Sequence, residues 1–126
     1  MQITRIFHSG FLVETAKRYF IFDYYKGELP KLNPDKPVYV FASHGHQDHY
    51  EPKVFELLKQ QGIVPKLAIL AKDIKEKKYP DGIPVLKAGF NAHYEIEADF
   101  LVDTFHSTDA GVAYFVTCGE GKIYHA

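Results

Sequence analysis

The stretch VYVFASHGHQDHYEP occupies positions 38–52 and sets the expectations for the fold. Its first five residues, Val38–Ala42, are all apolar or aromatic, which predicts a strand buried on both faces. Pro52 suits the start of a helix, and apolar residues follow at helical spacing until Gly62, a typical residue just beyond a helix end. A buried strand, a polar loop and a helix therefore follow one another, an order typical of a sheet that is covered by helix on one face.

Strands predominate on both sides of this stretch. Short apolar or aromatic runs, separated by residues that favour turns, predict strands at residues 3–7, 11–14, 18–23, 66–71, 84–87, 93–97, 100–105, 111–116 and 122–125. Residues 26–36 are rich in Pro, Gly, Asn and Asp and predict a loop, whereas the alternating charges of residues 73–78 predict a short exposed helix. The expected fold is α/β (α+β), mostly β-strands with one main helix, in a single domain spanning residues 1–126.

Composition narrows the class of protein. The 126 residues are 46% hydrophobic and 25% charged, as is usual for a folded soluble chain, and no apolar run is long enough to span a membrane. A net charge of -1 argues against a nucleic-acid partner, and the lysines of residues 72–78 are interleaved with acidic residues, which favours a solvated face.

Residues 1–10 do not resemble a signal peptide, and the single cysteine, Cys118, fits a reducing compartment, so a cytoplasmic location is expected.

The loop after the apolar run contains His44, His46, Asp48 and His49, and so holds three of the seven histidines. Ligand sites in α/β folds favour the carboxyl ends of strands. If residues 44–46 are extended, the side chains of His44 and His46 point the same way and can bind one ion. The side chains of Asp48 and His49 can then point toward a second site nearby. Imidazole and carboxylate without thiolate suit zinc, iron, manganese or nickel. A polar loop with hydrogen-bonded histidines is the alternative.

Catalytic zinc requires a third protein ligand. The candidates are His8, His93, His106 and His125. His106 is favoured because it ends a predicted strand and precedes a polar turn. His93 starts a strand without a supporting polar neighbour, and His125 lies inside a strand, where a core or surface role is expected. His8 opens a turn and could line the same cleft.

The motif SHGHQDH at residues 43–49 resembles the metal signature of the metallo-β-lactamase superfamily. Two other stretches are also similar to that family: IFHSGFLVE at 6–14, with FIFD at 20–23, and TFHSTDAGVAY at 104–114. These two favour the branch of metal-dependent hydrolases that includes ascorbate-phosphate lactonase-like proteins. The resemblance covers nearly all of the chain and implies the N-terminal half of an αββα sandwich.

The resemblance also implies roles for the histidine loop. His44, His46 and His106 would form a first metal site, while Asp48 and His49 would belong to a second. Asp48 is the residue for which a catalytic role is expected. The metal, with zinc expected ahead of manganese, iron or nickel, would activate a water that attacks an ester, lactone, amide or phosphoester of a small-molecule substrate.

Other residues near the loop are expected to support it. The resemblance implies that Asp23, at the end of a strand, holds the loop through hydrogen bonds rather than binding metal directly. Asp109 is expected to cap the turn after His106; a carboxylate ligand is the alternative role. Three aromatic residues beside the site are candidates for the cleft: Tyr24, Tyr25 and Tyr50.

Members of the resembled family continue past the equivalent of Ala126, with a Gly-Asp whose carboxylate bridges two metals and, later, a further histidine. The expectation is therefore a truncated chain with a complete three-histidine site and an incomplete second site. Such a half would expose the inner face of its sheet and associate into a homodimer or larger assembly. Two functions follow: a metal-dependent hydrolase, or a non-catalytic metal-binding half-domain that self-associates.

Overall fold

A computed structural model describes residues 1–107 and 111–126. Over these residues the chain forms ten strands, one α-helix and one short 3-10 helix. The strands belong to two sheets of six and four strands. The expected α+β class, mostly β-strands with one main helix, is confirmed.

The first sheet contains six strands in chain order. They are β1 (Gln2–Phe7), β2 (Gly10–Glu14), β3 (Tyr19–Phe22), β4 (Val38–Ala42), β5 (Leu67–Ala71) and β6 (Val85–Ala88). Strands β1 to β3 form an antiparallel meander, whereas β3 to β6 run parallel. Because parallel strands end at the same side of a sheet, the segments that follow β3, β4, β5 and β6 meet along one edge. We call this the carboxyl edge.

Helix α1 (Lys53–Gln60) connects β4 to β5 and covers one face of the first sheet. Its buried residues, Val54 and Leu58, belong to the same apolar cluster as Ile21 and Val40 of the sheet. Gly62 follows the helix with φ +75°, a left-handed conformation that glycine adopts at little cost. The helix and its end therefore agree with the sequence pattern.

The short helix expected at residues 73–78 is wrong in extent. The structure has only a 3-10 turn at Glu76–Lys78, and Lys75 before it is extended, with ψ 145°. None of the three residues in the turn is buried. Without an apolar face to pack against the sheet, a segment this short gains too little to form an α-helix.

The second sheet consists of β7 (His93–Glu97), β8 (Phe100–His106), β9 (Val112–Cys118) and β10 (Gly121–His125), all antiparallel, in the order β10-β9-β8-β7. It packs on the face of the first sheet opposite α1, where Phe100 lies 5.1 Å from Phe20 and Tyr114 lies 5.2 Å from Phe41 (ring centroids). The layers are thus helix, sheet and sheet.

This packing corrects one expectation. The inner face of the first sheet is covered by β7 to β10 rather than exposed, because alternate residues of β8 and β9, such as Val102 and Val116, turn inward and are buried. Two exposed apolar residues, Phe105 (45%) and Tyr124 (61%), lie on the outer face of the second sheet, and others lie elsewhere, among them Ile3 of β1 and Val64 before β5.

An ion-pair cluster joins the two sheets at the edge opposite the carboxyl edge. Arg18, 5% exposed, precedes β3. Its Nε lies 3.1 Å from Glu97 Oε1 and its Nη2 lies 2.5 Å from Asp99 Oδ1. Glu97 Oε1 also accepts a hydrogen bond from the Tyr39 hydroxyl at 2.7 Å.

Among the described residues, no helix has the length and apolarity needed to cross a membrane.

Candidate metal centre

Residues 43–49, which we call the His loop, leave the carboxyl edge between β4 and α1. The loop is bent rather than extended, and the backbone N–H groups of His49 and Tyr50 both donate to the carbonyl of His46 at 2.9 Å. The turn brings three imidazoles together. The ring centroid of His44 lies 3.8 Å from that of His49 and 4.8 Å from that of His46.

Asp23 anchors this loop. It follows β3 in a left-handed conformation (φ 48°), and it is 1% exposed. Its Oδ1 accepts a hydrogen bond from Ser43 N at 2.7 Å. Its Oδ2 accepts one from Ser43 Oγ at 2.5 Å and one from His49 Nδ1 at 2.9 Å. Both oxygens of the carboxylate thus hold the loop through hydrogen bonds.

His125 approaches the same carboxylate from the second sheet. Its Nε2 lies 3.1 Å from Asp23 Oδ2, and its ring stacks on Phe22 at 4.9 Å between centroids. The N–H direction departs from hydrogen-bond geometry, so the contact is mainly electrostatic. A core or surface role was expected for His125, and its contact with Asp23 was missed. Strand alternation places it on the inner side of β10, which is the only signal in the sequence.

The electrostatics of the loop follow from these contacts. Burial raises the pKa of Asp23, but the interactions with His125, His49 and Ser43 outweigh it and hold the pKa below its ordinary value. The hydrogen bond to Asp23 raises the pKa of His49, against the effect of burial. Burial, followed by the charge of His49, lowers the pKa of His44. The lowered pKa of His44 favours its neutral form, the form of imidazole that binds metal, whereas the raised pKa of His49 favours its protonated form.

A second carboxylate, Asp73, holds the middle of the loop. It is the second residue after β5, at the carboxyl edge, and its Oδ2 accepts a hydrogen bond from Gly45 N at 3.0 Å. The sequence placed Asp73 in an exposed helix, so this role was missed. Its position two residues after the end of an apolar strand was the available signal.

The second sheet braces the loop and places His106 beside it. Val112 N donates to Ser43 O at 2.7 Å, and the Tyr114 hydroxyl donates to Ala42 O at 2.8 Å. His106 is the cross-strand partner of Val112 at the end of β8, so it lies at the same edge as the His loop. Its exposed ring stacks on Phe90, with 4.3 Å between centroids.

Imidazole and carboxylate are donor types that bind divalent ions, but in the described part of the chain they do not surround one point. His44 Nδ1 contacts Ser43 Oγ at 3.1 Å and His49 Nδ1 contacts Asp23, which leaves both Nε2 atoms for a metal. Asp48 Oδ2, on a side chain that is 57% exposed, lies 3.4 Å from His49 Nε2. Two ligands of a tetrahedral ion at about 2.1 Å are separated by about 3.4 Å. Within the described part of the chain, no three His, Cys, Asp or Glu side chains converge on a common point.

The other residues proposed for the cleft have different positions. His8 is exposed with φ 53°, and its ring lies 5.6 Å from that of Tyr25. Tyr24 and Tyr50 are buried, and their hydroxyls donate to the carbonyls of Gly27 and Lys78. Asp109 lies outside the described residues.

A groove of about 870 Å³ adjoins the His loop at Gln47. It is also lined by Tyr24, Tyr25, Glu51 and Lys53, among other residues. Two of the three tyrosines that the sequence suggested for the cleft therefore border a cavity next to the loop, while Tyr50 does not line it.

Comparison with known proteins supports the fold. No family model matches the chain, and no curated protein matches it either. Among solved structures it is similar to Igni18, described as a novel metallo hydrolase from the hyperthermophilic archaeon Ignicoccus hospitalis KIN4/I. The two superpose with a TM-score of 0.65 and 17% sequence identity over 98% of this chain. The chain spans 59% of the length of that structure. The shared architecture is that of a protein named a metallo hydrolase.

Proposed function

We propose that the chain is a metal-dependent hydrolase, or the metal-binding part of one, acting on an ester, lactone or phosphoester of a small molecule. One observation carries this proposal. The imidazoles of His44, His46 and His49 are grouped at the carboxyl edge, and Ser43 and Asp23 contact the Nδ1 atoms of His44 and His49. The fold shared with a protein named a metallo hydrolase supports it.

In this proposal His44 and His46 hold a first ion together with His106, while Asp48 and His49 contribute to a second. A bound divalent ion supplies a water of lowered pKa and polarises the scissile group. Asp23 keeps the His49 ring in place through its Nδ1. Asp48, whose carboxylate lies 3.4 Å from His49 Nε2, would act in catalysis as a ligand that helps to position the metal-activated water. Zinc is the proposed metal, with manganese, iron and nickel as the alternatives to be tested.

Elemental analysis of the purified protein tests the metal site. We expect about one tightly held ion per chain and a weaker second one. His46→Ala should remove most of the tightly held metal. His93→Ala is the matched control, because His93 lies at the start of β7, outside the His loop, and is paired with Asp103. This variant should retain its metal. Unchanged metal content in His46→Ala would overturn the assignment.

Turnover tests the reaction. A panel of generic phosphoester, lactone and thioester substrates should show hydrolysis that a chelator abolishes and that added metal restores. Metal bound without turnover on any of them would instead favour a non-catalytic domain.

The second candidate is a metal-binding domain that self-associates. It is favoured by Phe105 and Tyr124, which are exposed on the outer face of the second sheet. Sedimentation at increasing concentration should then show dimers or larger assemblies, and Phe105→Ser with Tyr124→Ser should return monomers. Val64→Ser, at an exposed position before β5, is the control. A monomer at all concentrations would exclude this candidate.

A further inference from the structure

Phe90 is an aromatic residue at the carboxyl edge whose ring contacts one of the proposed metal ligands. It lies two residues beyond Ala88, the last residue of β6. Its ring stacks on that of His106, with 4.3 Å between the ring centroids and 29° between the ring planes. Such ring pairs are favourable beyond the area that they bury. The contact joins a segment that follows the first sheet to a histidine of the second sheet.

The position of His106 explains why a contact of this kind matters. Val102 and Thr104 of β8 are buried on the side that faces the first sheet, and strand alternation places the His106 side chain on that same side. His106 is, however, the last residue of its strand, and its side chain is exposed. Because an exposed side chain samples several rotamers, each packing contact narrows the set of orientations that the imidazole adopts.

Phe90 is itself held in place. Its half-buried side chain packs against the apolar core between the two sheets. The backbone before it is fixed by two hydrogen bonds, since Lys72 N donates to Ala88 O at 2.9 Å and Gly89 N donates to the Tyr94 hydroxyl oxygen at 3.0 Å. Lys72 Nζ also lies 4.0 Å from the centroid of the Phe90 ring, a stabilising cation–π contact.

The chain after Phe90 is tied to β8 close to His106. Thr104 N donates to Ala92 O at 2.9 Å, and Ala92 N donates to Thr104 Oγ1 at 2.9 Å. Ala92 is two positions after Phe90, and the buried Thr104 is two positions before His106. The separation between the two stacked rings is therefore set by the backbone as well as by the side chains.

We propose that Phe90 is a positioning residue, whose ring holds the His106 imidazole at the edge where the His loop lies before any metal binds. The inference rests on the proposed function, in which His106 is the third ligand of the first ion. A side chain that is already restricted loses less conformational entropy on binding, so a ring that orients His106 raises the affinity for the metal.

NMR of the full chain, stripped of metal with a chelator, tests the orientation. We expect contacts between the ring protons of Phe90 and those of His106, and an upfield shift of the His106 protons, because protons above an aromatic face are shielded. Phe90→Leu keeps an apolar side chain against the core but removes the ring, and it should abolish the shift. Phe90→Tyr should retain it. Absence of the ring contacts in the unmodified chain would overturn the inference.

Competition with a metal-sensitive dye tests the consequence for binding. Phe90→Leu should weaken metal binding about three- to tenfold, whereas Phe90→Tyr should bind as the unmodified chain does. Phe115→Leu is the matched control, because the partly buried Phe115 contacts Tyr124 on the outer face of the second sheet, and it should have no effect. Equal affinities of Phe90→Leu and Phe115→Leu, or a loss in Phe90→Tyr as large as in Phe90→Leu, would contradict the role of Phe90.

The metal site and the role of Phe90 fail in different ways. A chain that loses its metal in His46→Ala but tolerates Phe90→Leu contradicts only the positioning role. A chain that binds no metal contradicts the proposed function and, with it, the ligand role of His106. The NMR measurement is made without metal, so it tests the stacked pair in either case.

Discussion

At the scale of the residue, Asp23 is a carboxylate buried beneath a group of histidines. A buried charge is tolerated only where partners replace its water, and here Ser43, His49 and His125 do so. The same contacts fix the orientation of the His49 ring. The same hydrogen bonds therefore stabilise the buried charge of Asp23 and orient the His49 ring.

Asp23→Asn should weaken metal binding about 10- to 100-fold, since the amide keeps the shape of the side chain but loses the charge that holds His49. Competition with a metal-sensitive dye measures the affinity. Asp103→Asn is the matched control, because Asp103 also contacts a histidine, His93, at 2.6 Å but lies outside the His loop. Equal affinity of the two variants would show that Asp23 does not support a metal ligand.

Tyr114 provides a second test at this scale. Its fully buried hydroxyl donates to Ala42 O at the base of the His loop. Tyr114→Phe should lower the free energy of unfolding by about 1 kcal/mol, the usual net value of one hydrogen bond. Urea denaturation measures it, and Tyr124→Phe, on an exposed side chain, should have no effect. A loss of the same size in both variants would contradict the assignment.

The sequence predicted part of this residue-level arrangement. Local spacing was enough to single out His44, His46 and His49, whereas the role of Asp23 came from the family resemblance. The contacts of Asp73 and His125 could not be predicted in this way. Asp73 meets Gly45 across neighbouring strands, and His125 meets Asp23 only because two sheets pack together.

At the scale of the element, α1 buries one side of the first sheet. Leu58→Ala should lower the free energy of unfolding by about 2–5 kcal/mol, because the fully buried side chain leaves a cavity in the cluster that contains Val40. Leu57→Ala is the control, since that side chain is only partly buried. Chemical denaturation compares them, and a smaller loss in Leu58→Ala than in Leu57→Ala would overturn the packing described here.

Strand positions were predictable because apolar runs and turn-forming residues are local signals. The observed bounds differ from the expected ones by one or two residues, as in β5 and β9. The order of the strands was not predictable. The parallel pairing of β3 with β4 and the placement of β7 to β10 over the first sheet depend on contacts between distant segments.

At the scale of the whole molecule, Arg18 holds the two sheets together at the edge away from the His loop. The Arg18 guanidinium lowers the pKa of Asp99 to about 2, and hydrogen bonds from Tyr39, Lys66 and Arg18 lower that of Glu97 against burial. A carboxylate whose pKa is lowered by folding stabilises the protein above its unfolded pKa. That stability is lost as the pH falls through the folded value.

Arg18→Leu should therefore lower the stability near neutral pH and flatten its decline between about pH 4.5 and about pH 2, the window set by the two carboxylates. Thermal unfolding at a series of pH values measures this. Arg5→Leu removes an exposed arginine whose Nε donates to the backbone carbonyl of His8, and the variant should keep the original pH dependence. An unchanged pH profile in Arg18→Leu would contradict a role for the pairs.

The bracing of the His loop by β9 has a consequence for the order of events during synthesis. Tyr114 is 72 positions later in the chain than Ala42, to which it bonds. At about 5–20 residues per second, the histidines leave the ribosome several seconds before the strand that fixes them. During that interval the loop lacks the contacts that β9 supplies. If the chain binds metal as proposed, loading of the ion would therefore follow the docking of β9.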